Sequence, residues 1–97
     1  MIIVAGHLCV AASEHDQYLA AVEDTAIQAR RAPGCHDFVQ SADPIDPERI
    51  NIYERWGTDE LLMSFRSSGD ERVQPLPTPE LLGAEVAKYR ISAVESP

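Results

Sequence analysis

The chain opens on a run of β-branched and apolar residues from Ile2 to Val10, interrupted only by Gly6 and His7. Such a run predicts a first strand over residues 2–10. Both parities are apolar: Ile2, Val4, Leu8 and Val10 share one face, and Ile3, Ala5 and Cys9 share the other. A sheet with one wet face alternates instead, so this strand is expected to be covered on both sides. The chain offers two long helices, which leaves a second subunit as the expected second cover. The apolar period then changes. Leu19, Val22, Ala26 and Ala29 recur at helical spacing and form the buried stripe of a first helix. Ser13 with Asp16 three residues on predicts its cap, and Pro33-Gly34 its end. Arg30 and Arg31 suit the negative end of its dipole.

A second strand is expected from about Cys35 to Ser41. The two prolines of Asp43-Pro44-Ile45-Asp46-Pro47 each lack a donor and restrict the residue before them, so this stretch is a loop. A third strand follows from Arg49 to Trp56, with Ile50, Ile52, Glu54 and Trp56 on one face and Asn51, Tyr53 and Arg55 on the other. Thr58 caps a second helix with an acidic first turn, Asp59-Glu60. That helix carries Leu61, Leu62 and Phe65 and stops near Ser68-Gly69. Residues 70–77 read as a loop. Thr78-Pro79-Glu80 reads as the start of a short helix to about Gly83, and a fourth strand spans residues 86–95. The order β-α-β-β-α-β with right-handed crossovers gives a ferredoxin-like α+β fold, a four-stranded antiparallel sheet with helices on one face. Its expected strand order is 4-1-3-2. That order separates Cys9 from Cys35, so no disulfide between them is expected.

At 97 residues the chain is read as a single domain over 1–97, with a core that is modest for lack of volume. The net charge of −8 disfavours nucleic acid and anionic membrane, because both need a basic patch. The seven Arg and the one Lys are scattered. No stretch of 18 apolar residues occurs, and the first residues lack the basic region of a leader, so the cytoplasm is the expected compartment. No glycine-rich phosphate loop and no nucleophile elbow is present.

The motifs Pro33-Gly34-Cys35, Asp43-Pro44-Ile45-Asp46-Pro47 and Tyr53-Glu54-Arg55-Trp56 before a capped helix, taken in this order, resemble the antibiotic biosynthesis monooxygenase family. The resemblance runs from the first strand to Lys88-Tyr89-Arg90-Ile91-Ser92. It implies a homodimer in which two sheets face each other as a dimeric α+β barrel, with helices outside and a pocket between sheet and helices. It also implies chemistry without a cofactor on a small aromatic, a quinol or a phenol, with molecular oxygen as co-substrate. A non-catalytic dimeric module that binds a small ligand in the same pocket is the alternative.

Trp56 is the family's strand-end tryptophan by this resemblance, and it would stack on an aromatic substrate. The alternative is a core aromatic closing the barrel end. His7, inside an apolar strand beside Gly6, reads as a neutral imidazole able to take a phenolic proton, or as a histidine satisfied by a neighbour. Phe38, Ile52, Leu62 and Phe65 are the expected pocket walls. Haem-degrading members carry a histidine on the second helix, where this chain has Phe65. Glu54 shares the face of Trp56 and needs a partner, with Arg66 and Arg90 as candidates for an ion pair. His7, Cys9, Cys35 and His36 fall too far apart in this fold to converge on a metal.

Overall fold

A computed structural model describes residues 1–68 and 79–97. Strand β1 (Ile2–Cys9) leads through a 3₁₀ turn (Ala12–Glu14) into helix α1 (His15–Arg31). Strands β2 (Cys35–Ala42) and β3 (Arg49–Trp56) form a hairpin, followed by α2 (Asp59–Ser67) and β4 (Gly83–Arg90). The sheet is antiparallel in the order β2-β3-β1-β4. This is the expected ferredoxin-like arrangement. Cys9 lies opposite Arg49 and Cys35 opposite Trp56, at the two ends of β3, and both thiols are free.

Both helices cover the same face. Ile2, Val4, Leu8 and Val10 point into it from β1 and its extension, and Ile50, Ile52, Glu54 and Trp56 from β3. Two apolar clusters result. One gathers Ile2, Val4, Ala29, Phe38, Trp56 and Leu62; the other gathers Leu8, Val10, Tyr18, Ile50 and Ile52. Among the described residues the opposite face carries no helix. Ile3, Ala5, His7 and Cys9 are half-buried there, and Tyr53 and Tyr89 are exposed.

Three local expectations need correction. Ser13 does not cap α1: the chain enters the helix through the 3₁₀ turn, with Glu14 N–H donating to the Ala11 carbonyl, and no side chain caps either start. His15 anchors this end instead, its Nε2–H donating to the Arg49 carbonyl at 3.0 Å. The short helix ending near Gly83 is absent over residues 79–82, while its Thr78 cap and the loop at 70–77 lie outside the described residues. Strand β4 covers 83–90 rather than 86–95 because β1 dictates its length. Cys9 pairs with Gly83 and Ile2 with Arg90, so β4 runs the full length of β1 and its last bond to that strand is Ile91 N–H to the Met1 carbonyl. The third correction is Glu54, whose hydrogen-bond partner is the Trp56 indole rather than Arg66 or Arg90.

The predicted stripe of α1 holds with a shift. Leu19, Val22 and Ala26 are half-buried, and Tyr18 is buried with its hydroxyl donating to Gln40 Oε1 at 2.9 Å. Burial raises the Tyr18 pKa above that of a free phenol. Thr58 caps α2 as expected, its hydroxyl accepting from Leu61 N–H. The Asp59 carboxylate ties this helix to the edge strand by accepting from the Lys88 ammonium at 2.8 Å.

Gly6 has φ +149°, and a Cβ there would strike the Glu85 carbonyl oxygen and come within 2.8 Å of Val86 Cα. The β1–β4 pairing therefore requires glycine. Gly6→Ala is expected to lower unfolding free energy by roughly 2–3 kcal/mol, read as a fall in the urea midpoint. An unchanged midpoint would show that β4 shifts freely.

The hydrogen bond from Lys88 holds the Asp59 carboxyl below the usual carboxylate range, with the positive charges of Lys88, Arg90 and Arg66 adding to it. Asp43 is lowered too, first by the Asn51 amide and then by the backbone N–H groups of Asp46 and Ile45. A carboxyl lowered in the folded state adds stability that is complete above its unfolded value, about 3.9, and that is lost as pH falls through the folded one. Stability should therefore drop below about pH 4. Asp59→Asn should be less stable at neutral pH and decline less on acidification. Parallel wild-type and variant curves of midpoint against pH would contradict the assignment.

Candidate functional site

The end of the sheet where β3 meets α2 concentrates the chemistry-bearing residues. Trp56 is the last residue of β3 and is fully buried. The α2 helix crosses above it because Thr58 and Asp59 start that helix two residues later, which places Leu62 and Phe65 on the inward side one turn apart. The Phe65 ring stacks on the Trp56 indole with centroids 5.4 Å apart and planes 29° apart. Phe38, from the adjacent strand, meets Phe65 edge-on at 6.5 Å and 70°. Such geometries add about 0.5–1.5 kcal/mol per pair beyond area burial.

Glu54 lies two residues before Trp56 on the same face, between Val4 and Phe38 on the neighbouring strands. It is only 8% exposed, and its Oε1 accepts from Trp56 Nε1–H at 3.0 Å. Cys35 sits against the same cluster. Burial pushes its thiol pKa up and the negative charge of Glu54 adds to this, while a hydrogen bond with the Asp37 backbone and the positive charge of Arg30 offset part of it. Arg30 closes the far side, its Nε–H donating to the Phe38 carbonyl at 2.9 Å.

Phe65 separates this interior from two surface hollows. One, of about 130 Å³, is lined by Ala32, Pro33, Leu61, Ser64 and Phe65; the other, of about 290 Å³, by Thr25, Gln28, Phe65 and Arg66. The ring thus covers the indole between the two hollows.

The structure brings Trp56, Phe38, Leu62 and Phe65 together in one cluster. It does not bring His7 or Ile52 to them. Ile52 packs with Leu8, Val10, Tyr18 and Ile50 in the other cluster. His7 is on the helix-free face, between Asn51 and Glu85 on the neighbouring strands, at a shallow concavity of about 360 Å³ that also touches Tyr89. Strand parity decides this, since residues 2, 4 and 8 of β1 face the helices and residue 7 cannot. The exposed His36 lies beside Gly57, outside the aromatic cluster. The group that sequence reasoning undervalued is Glu54. Its position on the face of Trp56 was visible, but its bond to the indole was not.

Haem would need an axial ligand in the pocket, and α2 offers no imidazole, thiolate or phenolate. Its one thioether, on Met63, is 48% exposed and points away from the cluster. The residues of α2 therefore do not fit haem ligation. Among the described residues no three His, Cys, Asp or Glu side chains converge as a metal site, and no helix is long and apolar enough to cross a membrane.

Three comparisons bear on kinship. A search of curated proteins returns no significant match. Among solved structures, the chain is similar to a protein of Deinococcus radiodurans named for the antibiotic biosynthesis monooxygenases. They share 17% identity and a TM-score of 0.79, over 99% of this chain and 97% of that one. A protein of Nitrosomonas europaea named for the same group is 16% identical with a TM-score of 0.74, over 96% and 100% of the two chains. A haem degrader of Mycobacterium tuberculosis, solved with two haems in its active site, is 14% identical with a TM-score of 0.66, over 99% and 100%. At such identities these likenesses speak to the fold. The family model for antibiotic biosynthesis monooxygenase matches residues 1–72. With that match spanning most of the sequence and the fold agreeing throughout, this chain belongs to the antibiotic biosynthesis monooxygenase family.

Proposed function

We propose that the chain is an oxygenase of a small aromatic, a quinol or phenol, working without a cofactor, and that its substrate ring stacks on Trp56. The observation that carries this reading is the aromatic cluster itself. Trp56, Phe65 and Phe38 pack together with Leu62, and a buried carboxylate accepts from the indole N–H. Substrate binding requires the Phe65 ring to yield its place, and the two hollows beside it give the entry. Oxygen does not react readily with a neutral quinol, whereas a phenolate is electron-rich enough to transfer an electron to it. An apolar slot that orients the ring and excludes water favours that encounter. A quinol and one O₂ then give a hydroxyquinone and one water, so the substrate supplies all the electrons.

A second copy of the chain is the proposed cover for the helix-free face. Half-buried Ile3, Ala5 and Cys9 and exposed Tyr53 and Tyr89 form its apolar part. Arg55 Nε is buried there with no hydrogen-bond partner among the described residues, a donor that an acceptor on a second copy would satisfy. His7 belongs to this face, so in the homodimer it would lie between the sheets rather than beside Trp56.

The reading predicts oxygen uptake with a panel of quinols in protein free of added flavin, metal or haem. Trp56→Phe should lower kcat/KM about five- to tenfold, the value of roughly 1 kcal/mol of lost stacking. His7→Ala should stay within about twofold, because its effect on the slot is indirect. A tenfold loss in His7→Ala with Trp56→Phe unaffected would move the site to the other face. Quinols that raise the melting temperature without consuming oxygen would instead favour a binding module.

The homodimer is checked by light scattering at micromolar concentration, where the mass of two chains is expected. The mass of one chain would contradict it.

A further inference from the structure

We propose that the Glu54 carboxylate is the catalytic base, taking the phenolic proton of the aromatic substrate. This rests on the reading of Trp56 as the stacking surface. The first argument is position. Glu54 and Trp56 leave β3 on the same face two residues apart, and the indole N–H holds Oε1 at 3.0 Å. A ring that took the place of Phe65 over the indole would lie on the residue that holds this carboxylate, and a hydroxyl on its edge nearest Nε1 would be directed to Glu54.

Second, among the described residues, no imidazole or thiol is placed to take the proton instead. His7 faces the other side of the sheet. The His15 Nε2 is committed to the Arg49 carbonyl, at the opposite end of β3. His36 is exposed and beside Gly57 rather than the rings. The Cys35 thiol is kept protonated by burial and by Glu54 itself. Among the described residues, the ionisable groups around Glu54 are the Cys35 thiol and the Asp37 carboxylate from β2, with the Arg30 guanidinium from α1 behind them, while β1 presents Val4.

The third argument is energetic. A buried carboxylate is costly unless hydrogen bonds compensate it, and one neutral indole N–H compensates it only in part. A phenolic hydroxyl supplies a further donor and, on transfer, neutralises the charge.

The step balances as follows. The quinol O–H bond breaks, its proton goes to Glu54, and its electron pair stays on the ring. The ring carbon beside the phenolate gives its electrons to O₂ and forms a C–O bond. Glu54 returns the proton to the resulting peroxide anion. The ring C–H hydrogen and the terminal hydroxyl then leave as water, giving the hydroxyquinone.

The test reads binding through Trp56, the only tryptophan of the chain. Under nitrogen, 1-naphthol should quench its fluorescence with an affinity at least about tenfold above that of 1-methoxynaphthalene, which has no proton to give. Glu54→Gln keeps an acceptor for the indole and should shrink this preference to below about threefold, with turnover of an active quinol down roughly 100-fold. Equal wild-type affinities, or an unchanged preference in Glu54→Gln, overturn the base while leaving an aromatic site in place. Quenching by neither compound overturns both readings. The wild-type comparison needs no variant and stands even if Glu54→Gln fails to fold.

Discussion

The hydrogen bond between the Trp56 indole and the Glu54 carboxylate sets the arrangement of the helix-side interior. A carboxylate in that position costs several kcal/mol unless its charge is met by donors. Meeting it fixes the indole's orientation at the end of β3, and a fixed indole gives Phe65 a flat surface to stack on. Phe65 in turn registers α2 over the sheet, with Leu62 fully buried one turn earlier. The Thr58 cap and the Asp59–Lys88 bond hold the start of the same helix. The fold and the candidate chemistry therefore share one set of contacts, and a substrate that displaces Phe65 competes with part of what positions α2.

The sheet separates two kinds of surface. On the helix side, two polar side chains are tied to aromatics: Glu54 to the Trp56 indole and Gln40 to the Tyr18 hydroxyl. On the other side, the row Asn51, His7 and Glu85 crosses three strands among Ile3, Ala5 and Tyr53. Gly6 links the two sides, since only a residue without Cβ lets β4 approach closely enough for Glu85 to stand beside His7. In the proposed homodimer the polar row would be buried between sheets, and in the proposed site the carboxylate–indole pair would meet the ligand.

Much of this was legible in the sequence because it depends on neighbours along the chain. The continuous apolar run of β1, the alternation of β3, the proline-stiffened turn after Asp43 and the Thr58 cap all act over a few residues, and the strand order follows from chirality. What stayed hidden depends on distant partners. The length of β4 was set by β1, some 80 residues away, so its own apolar residues misplaced it by three to five positions. Tyr18 was buried through Gln40, 22 residues on. His7 attracted attention as an imidazole in an apolar strand, yet the parity of that strand assigns it to the helix-free face. Glu54 looked like half of an ion pair because arginines are the usual partners of a buried carboxylate, and its partner was the tryptophan two residues ahead.

The central claim is that the ligand site lies on the helix side, against Trp56. The most direct measurement is a crystal structure of the protein with a bound hydroxyquinone such as 2-hydroxy-1,4-naphthoquinone. The account predicts the ligand's rings stacked on the Trp56 indole, Phe65 displaced toward the hollow lined by Thr25 and Gln28, and an oxygen of the ligand beside Glu54. A ligand seated on the helix-free face against His7 and Glu85, with Phe65 still on Trp56, would contradict it.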